Sequence, residues 1–169
     1  MIKKQPLLMP LIVLLLFCTF NQSFAQDGPQ TGRDEDMKLQ FIVPSGWSVA
    51  KKEIGYVMVP YETTDGFILV KEDSFVSVKD LKVAMTNGIT QENGTVLKPI
   101  GDLTDLGSQG VAGIFQGTID EQEVKGFLMA LMPPSGGRAA ISVVVAPLEY
   151  FNQSHIDELK MLVRSIIFL

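Results

Sequence analysis

The sequence predicts an α+β domain, a central antiparallel β-sheet with helices packed against it. Short apolar stretches, several with period-2 alternation and separated by turn residues, fill most of 39–70 and 95–145. Only 78–92 and 155–166 carry the i, i+3, i+4 spacing of a helix. The order is strands, a helix, a run of strands and a closing helix, the pattern of an antiparallel sheet with segregated helices rather than of alternating β-α units.

The elements follow in order. Leu39, Phe41 and Val43 alternate with polar or edge residues, a strand with one buried face, and Pro44-Ser45-Gly46 turns the chain into a strand beginning Trp47-Ser48-Val49. Stretches 54–60 and 67–70 are two more short strands, separated by the turn-rich "YETTDG". Ser77 and Asp80 have capping-box spacing; Val78, Leu81, Met85 and Ile89 continue at helical spacing to a stop at Asn93-Gly94. Stretches 95–100, 109–119, 124–132 and 139–145 read as strands, with Asp120-Glu121-Gln122 as a tight hairpin connection. "FLMALM" and "AISVVVA" are nearly continuous in apolar residues, which predicts an adjacent pair covered on both faces at the middle of the sheet. Ser154 and Asp157 form a second capping pair before a helix with Ile156, Leu159, Val163 and Ile166 on one face, and "IIFL" is an apolar tail that must pack.

The N-terminus sets the expected compartment. Lys3 and Lys4, the apolar stretch Leu7 to Phe20 and then Ser23-Phe24-Ala25 read as a secretory signal over 1–25, cleaved between Ala25 and Gln26. A membrane span wants about 18 or more apolar residues, and Pro10 interrupts this run. Cys18 opens a lipoprotein reading; Phe17 before it, where lipoprotein signals resemble one another in carrying Gly, Ala or Ser, favours a cysteine within the signal core. "QDGPQTGRDED" is polar and charged, so 26–37 is expected to be a disordered leader, with one domain over 38–169.

Removing 25 of 169 residues leaves 144, enough for one core. It also removes two lysines and no acid, taking the formal charge from −5 to −7. So acidic a chain, without a basic cluster, is not built for nucleic acid or anionic lipid. The one cysteine goes with the signal, leaving no disulfide, thiolate nucleophile or cysteine metal site. An exported domain without disulfides points to a bacterial periplasmic or secreted protein.

The sequence offers little catalytic chemistry. Pro133-Pro134-Ser135-Gly136-Gly137-Arg138 has the glycines of a phosphate cradle, but β-formers follow it where a cradle needs a helix, and there is no Gly-Lys-Ser/Thr. It reads as a hairpin loop. His155, the single histidine, is expected as an exposed first-turn residue; no G-x-S-x-G elbow accompanies it, and alone it cannot make an ordinary zinc site. Asp34-Glu35-Asp36 and the pair Asp102, Asp105 supply oxygens without the spacing of a calcium loop. No catalytic residue, metal site or cofactor is therefore assigned. Trp47, a core or rim residue by position, and Arg138, a loop charge, are the only binding candidates.

"MKLQFIVPSGWSVAK", the helix-then-meander order and the closing "LKMLVRSIIF" together resemble the PsbP-like superfamily, which shares its fold with the Ran-binding Mog-type proteins. Phe41, Pro44 and Trp47 match its aromatic-x-x-Pro-x-x-Trp opening, and Ser165-Ile166-Ile167-Phe168 its closing Ser-aliphatic-x-Phe. The resemblance spans Lys38 to Phe168 and implies an α/β/α sandwich with accessory, scaffold or partner-binding roles in place of catalysis. The expectation is thus an exported, non-enzymatic binding or accessory protein of the bacterial envelope. Its partner is an unidentified envelope protein or small ligand, with no nucleic acid and no transmembrane span in the mature chain. The alternative is a carboxylate-based hydrolase, because nineteen acids leave room for a pair that no motif reveals.

Overall fold

The structure, a computed structural model, describes residues 28–52, 55–60, 66–72, 75, 77–90, 94–135 and 138–169. The expected signal over 1–25, its cleavage point at Ala25 and Gln26, and the Gly136-Gly137 pair lie outside them. The described strands are β1 (Gln30–Asp34), β2 (Leu39–Val43), β3 (Trp47–Lys52), β4 (Gly55–Pro60), β5 (Gly66–Glu72), β6 (Ile89–Thr90), β7 (Val96–Pro99), β8 (Thr104–Asp105), β9 (Gly110–Ile119), β10 (Gln122–Leu131), β11 (Ala139–Pro147) and β12 (Ile167–Phe168). Helix α1 spans Val78–Asn87 and α2 Gln153–Arg164. The main sheet runs β3-β4-β5-β11-β10-β9-β7-β6 with β8 paired to β9, and a small sheet runs β1-β2-β12. Every pairing is antiparallel. The α+β class is that of the sequence reading.

The β10–β11 pair lies mid-sheet, joined as a hairpin with Leu131 opposite Ala140. Residues 132–138 connect the two strands. All but the last residue of β11 are buried, as a strand covered on both faces requires. Alternate side chains feed two cores. Ala139, Ile141, Val143 and Val145 join Val111, Phe115, Leu128 and, from α1, Leu81 and Met85. Ala140 and Val144 join Phe41, Trp47, Phe67 and, from α2, Ile156, Leu159, Leu162 and Val163. Period-2 strands and period-3.6 helices meet in each core, and this burial is the main driving force for the fold.

Three expectations are corrected. The leader over 26–37 contains β1, paired along β2 from Gln30↔Val43 to Asp34↔Leu39. Composition missed it because its anchors are not apolar: Gly32 lies opposite Phe41, whose ring fills the space a Cβ would occupy, and Asp34 is buried by specific partners described below. Helix α1 stops at Asn87, not at 92. Gly88 caps it at φ 73°, its N–H donating to the carbonyls of Ala84 and Met85 at 3.1 Å, and Ile89 turns into β6. Helix α2 is capped by Asn152 rather than Ser154, which moves His155 to the third helical position.

Of the expected Ser77–Asp80 box the hydroxyl half forms: Ser77 Oγ accepts the Asp80 N–H at 3.2 Å and donates to the Asp80 carboxylate at 2.7 Å. The apolar tail packs only in part: Ile166 and Phe168 lie against the core, while Ile167 and Leu169 stay exposed and are held by backbone pairing. Ile167 and Phe168 pair with Gln40 and Leu39, and the Leu169 N–H donates to the Lys38 carbonyl at 2.8 Å.

Candidate functional site

The residues singled out by sequence do not converge. Trp47, 8% exposed, packs on Phe67 with ring centroids 4.5 Å apart. Arg138 is exposed just before β11, whose first residue pairs with Glu72. Trp47 therefore sits near one end of β5 and Arg138 beyond the other, separated by five residues or about 17 Å of strand. His155 is 5% exposed instead of solvated. Its Nδ1 accepts the Asn152 N–H at 3.2 Å and its ring stacks on Phe151 at 5.3 Å, so it is engaged in closing the helix end. The Asn152-x-x-His155 spacing was the available signal, since imidazole can replace Glu as the acceptor at that position.

Among the described residues, a charged cluster gathers around Asp34, which is 3% exposed. Its Oδ1 accepts the N–H groups of Asp36 and Met37, both at 2.9 Å. Its Oδ2 accepts the Tyr56 hydroxyl at 2.6 Å and the Lys51 ammonium at 2.9 Å. Burial by itself would raise the Asp34 pKa; the donors from Tyr56, Lys51 and Met37 outweigh it and hold the carboxyl at about 2. Burial, then the bond to Asp34, pushes the Tyr56 phenol up to about 12. Lys51 and Tyr56 are a cross-strand pair on β3 and β4, so the cluster ties β1 of the small sheet to the main sheet. With all its acceptor directions used, Asp34 is a structural pin. Asp105 is likewise held low, first by the Gly107 N–H and then by Lys82. Among the described residues, no three His, Cys, Asp or Glu side chains are grouped to hold a metal ion. Beneath α1 lies an apolar void of about 10 Å³ between Phe75, Met85, Phe115 and Ile141, a packing gap and not a ligand chamber.

The main sheet is covered unequally. On β9, Val111, Gly113, Phe115 and Ile119 are buried, whereas Ile114, Gln116 and Thr118 on the other face are half-buried. On β10, Val124, Gly126, Leu128 and Ala130 are buried, whereas Lys125, Met129 and Leu131 are half-buried. The half-open residues share one face, because Ala112 pairs with Met129, Ile114 with Phe127 and Gln116 with Lys125. Ile100, 41% exposed, extends this face, its N–H bonded to the Ile114 carbonyl at 2.8 Å. The result is a bay beside α2 with an apolar end (Ile100, Ile114, Met129, Leu131) and a polar end (Gln116, Lys125). Sequence reasoning passed over it because "FLMALM" reads as buried on both faces, and only topology shows that α2 stops short of β9.

No sequence-family model matches the chain, and no curated protein is similar to it in sequence. Solved structures are. A protein from Bacteroides thetaiotaomicron is similar over 85% of this chain with a TM-score of 0.55 and 8% identity; this chain spans 49% of its length. PsbP (CyanoP) of the cyanobacterium Synechocystis is similar over 91% of this chain and 99% of its own, with a TM-score of 0.52 and 12% identity. The Saccharomyces cerevisiae Ran-binding protein Mog1p is similar over 85% of this chain and 96% of its own, with a TM-score of 0.54 and 10% identity. The chain has a PsbP/Mog1-like fold, as its opening and closing motifs implied. Among the described residues, no helix is long and apolar enough to cross a membrane.

Proposed function

We propose that the chain is an exported, non-enzymatic binding or accessory module of the bacterial cell envelope, and that the bay over β9 and β10 beside α2 is its partner surface. The carrying observation is the unequal coverage of β9 and β10: the face on the α1 side is mostly buried, while the other leaves Ile100, Ile114, Met129 and Leu131 part-open next to polar groups. A shallow apolar face with a polar rim is the anatomy of an interaction site. The fold neighbours support a protein partner, since the yeast one is named for binding Ran. The layering is read as the α/β/α sandwich of those proteins. Export rests on the N-terminal sequence, Lys3 through Ala25, and places the module in the periplasm or outside the cell.

The test is affinity capture from the native envelope with the wild-type chain and with Ile114→Asp, after thermal melts show both folded. The reading requires a reproducible partner that the variant loses. Turnover of an envelope polymer by the purified protein alone, abolished by changing a single Asp or Glu, would contradict it.

A further inference from the structure

Helix α1 packs against β9 and β7, whereas α2 packs against β11, β10 and β2. The two helices are offset along the sheet, so the bay beside α2 lies on the face opposite α1. Strands are about 4.8 Å apart, so the β10-β9-β7 span measures roughly 10 Å, the diameter of one helix with its side chains. Ala112 is buried, and Ile114, Met129 and Leu131 pack against the core around it, part-open at their outer side.

The charges around the bay run against those of the whole chain. The chain carries a net −5, yet Lys125 and Lys160 border this face. Lys160 Nζ lies 5.7 Å from the Phe127 ring centroid, and Lys125 Nζ lies 5.6 Å from that of Phe151. Neither lysine is in an ion pair among the described residues. Of the neighbouring acids, Asp157 accepts from Gln153 Nε2 at 2.9 Å, and Asp105, beside the apolar end, is paired with Lys82 at 3.1 Å.

We propose that the bay receives an amphipathic helix of a partner protein, its apolar stripe on Ile114, Met129 and Leu131 and its flanking carboxylates against Lys125 and Lys160. This rests on the proposed partner surface and adds the partner's chemistry. Such a helix would complete a second helical layer on the less covered face, and its acids would meet two cations held beside aromatic rings.

The test uses two labelled amphipathic peptides with the same leucine stripe, one flanked by Glu and one by Lys, titrated into the purified full-length chain by fluorescence anisotropy. The Glu-flanked peptide is expected to bind about tenfold tighter or better, with the gap narrowing as salt rises. The surface variant Lys125→Glu/Lys160→Glu should reverse the order. Equal affinities, or an order that survives this charge reversal, would overturn the helix proposal. A photo-crosslinker at Ile114 separates the two readings. A native partner joined through an acidic helical segment supports both. A basic or extended segment overturns the helix proposal and leaves the surface standing, and a partner joined only from other faces overturns both.

Discussion

Replacing Asp34 by Asn removes one charge at nearly constant volume and isolates what the pin contributes. The folded-state pKa is about 2 against an ordinary 3.8. At about 1.36 kcal/mol per unit, that difference corresponds to roughly 2–3 kcal/mol of stability. The pKa is depressed on folding, so this stability is present above about pH 4 and is lost as pH falls through 3.8 toward 2. Asn keeps an acceptor for the Asp36 and Met37 N–H groups but turns an NH₂ toward Tyr56 and Lys51. Lys51 is largely exposed and returns to water, while the buried Tyr56 hydroxyl loses its acceptor, so the total cost at neutral pH is about 2–4 kcal/mol. Urea unfolding of both proteins across the acid range is the assay. The stability gap should be widest near neutrality and close toward about pH 2. A gap below about 0.5 kcal/mol at neutral pH, or one that stays constant with pH, would refute the reasoning.

Other substitutions probe local backbone and capping. Asp120 and Glu121 form the two-residue β9–β10 loop with φ of 45° and 67°, a conformation that favours glycine, so Glu121→Gly should stabilise the protein by about 0.5–1 kcal/mol in thermal melts. Gly88→Ala should cost about 1–3 kcal/mol, because φ is 73° and the new Cβ would meet the Leu97 carbonyl; an unchanged melting temperature would count against the cap geometry. Asn152→Ala should cost about 1 kcal/mol and raise amide exchange in the first turn of α2. Alkaline unfolding should also depend on Tyr56. Its pKa is raised on folding to about 12, so its contribution is present below about pH 10 and is lost as pH climbs through 12, and Tyr56→Phe should blunt that loss.

The central architecture was legible because periodicity reports burial directly. The continuous apolar run of "AISVVVA" could only be a strand covered on both faces, and β11 is one. Short signals set by one or two residues were less legible. Gly88 ends α1 through a left-handed cap, while the longer apolar spacing to Ile89 suggested continuation. Asn152 and His155 made a cap that a Ser or Thr pattern does not describe. Strand β1 was hidden because its stability comes from contacts distant in sequence, Gly32 on Phe41 and Asp34 on Tyr56, while its composition is that of a loop. The bay is a property of topology. Ile114, Met129 and Leu131 look like core residues until the position of α2 over β10 and β11 leaves their end of the sheet part-open.

Crosslinking in living cells from two matched positions tests the partner surface most directly. A photoreactive residue replaces Ile114 in the bay in one variant and Val83 in another, the latter on α1 and 55% exposed. The proposed surface requires a discrete crosslinked protein from Ile114 and none from Val83; its loss on adding Lys125→Glu/Lys160→Glu is what the acidic-helix proposal requires in addition. The same partner captured from Val83 and not from Ile114 would contradict it.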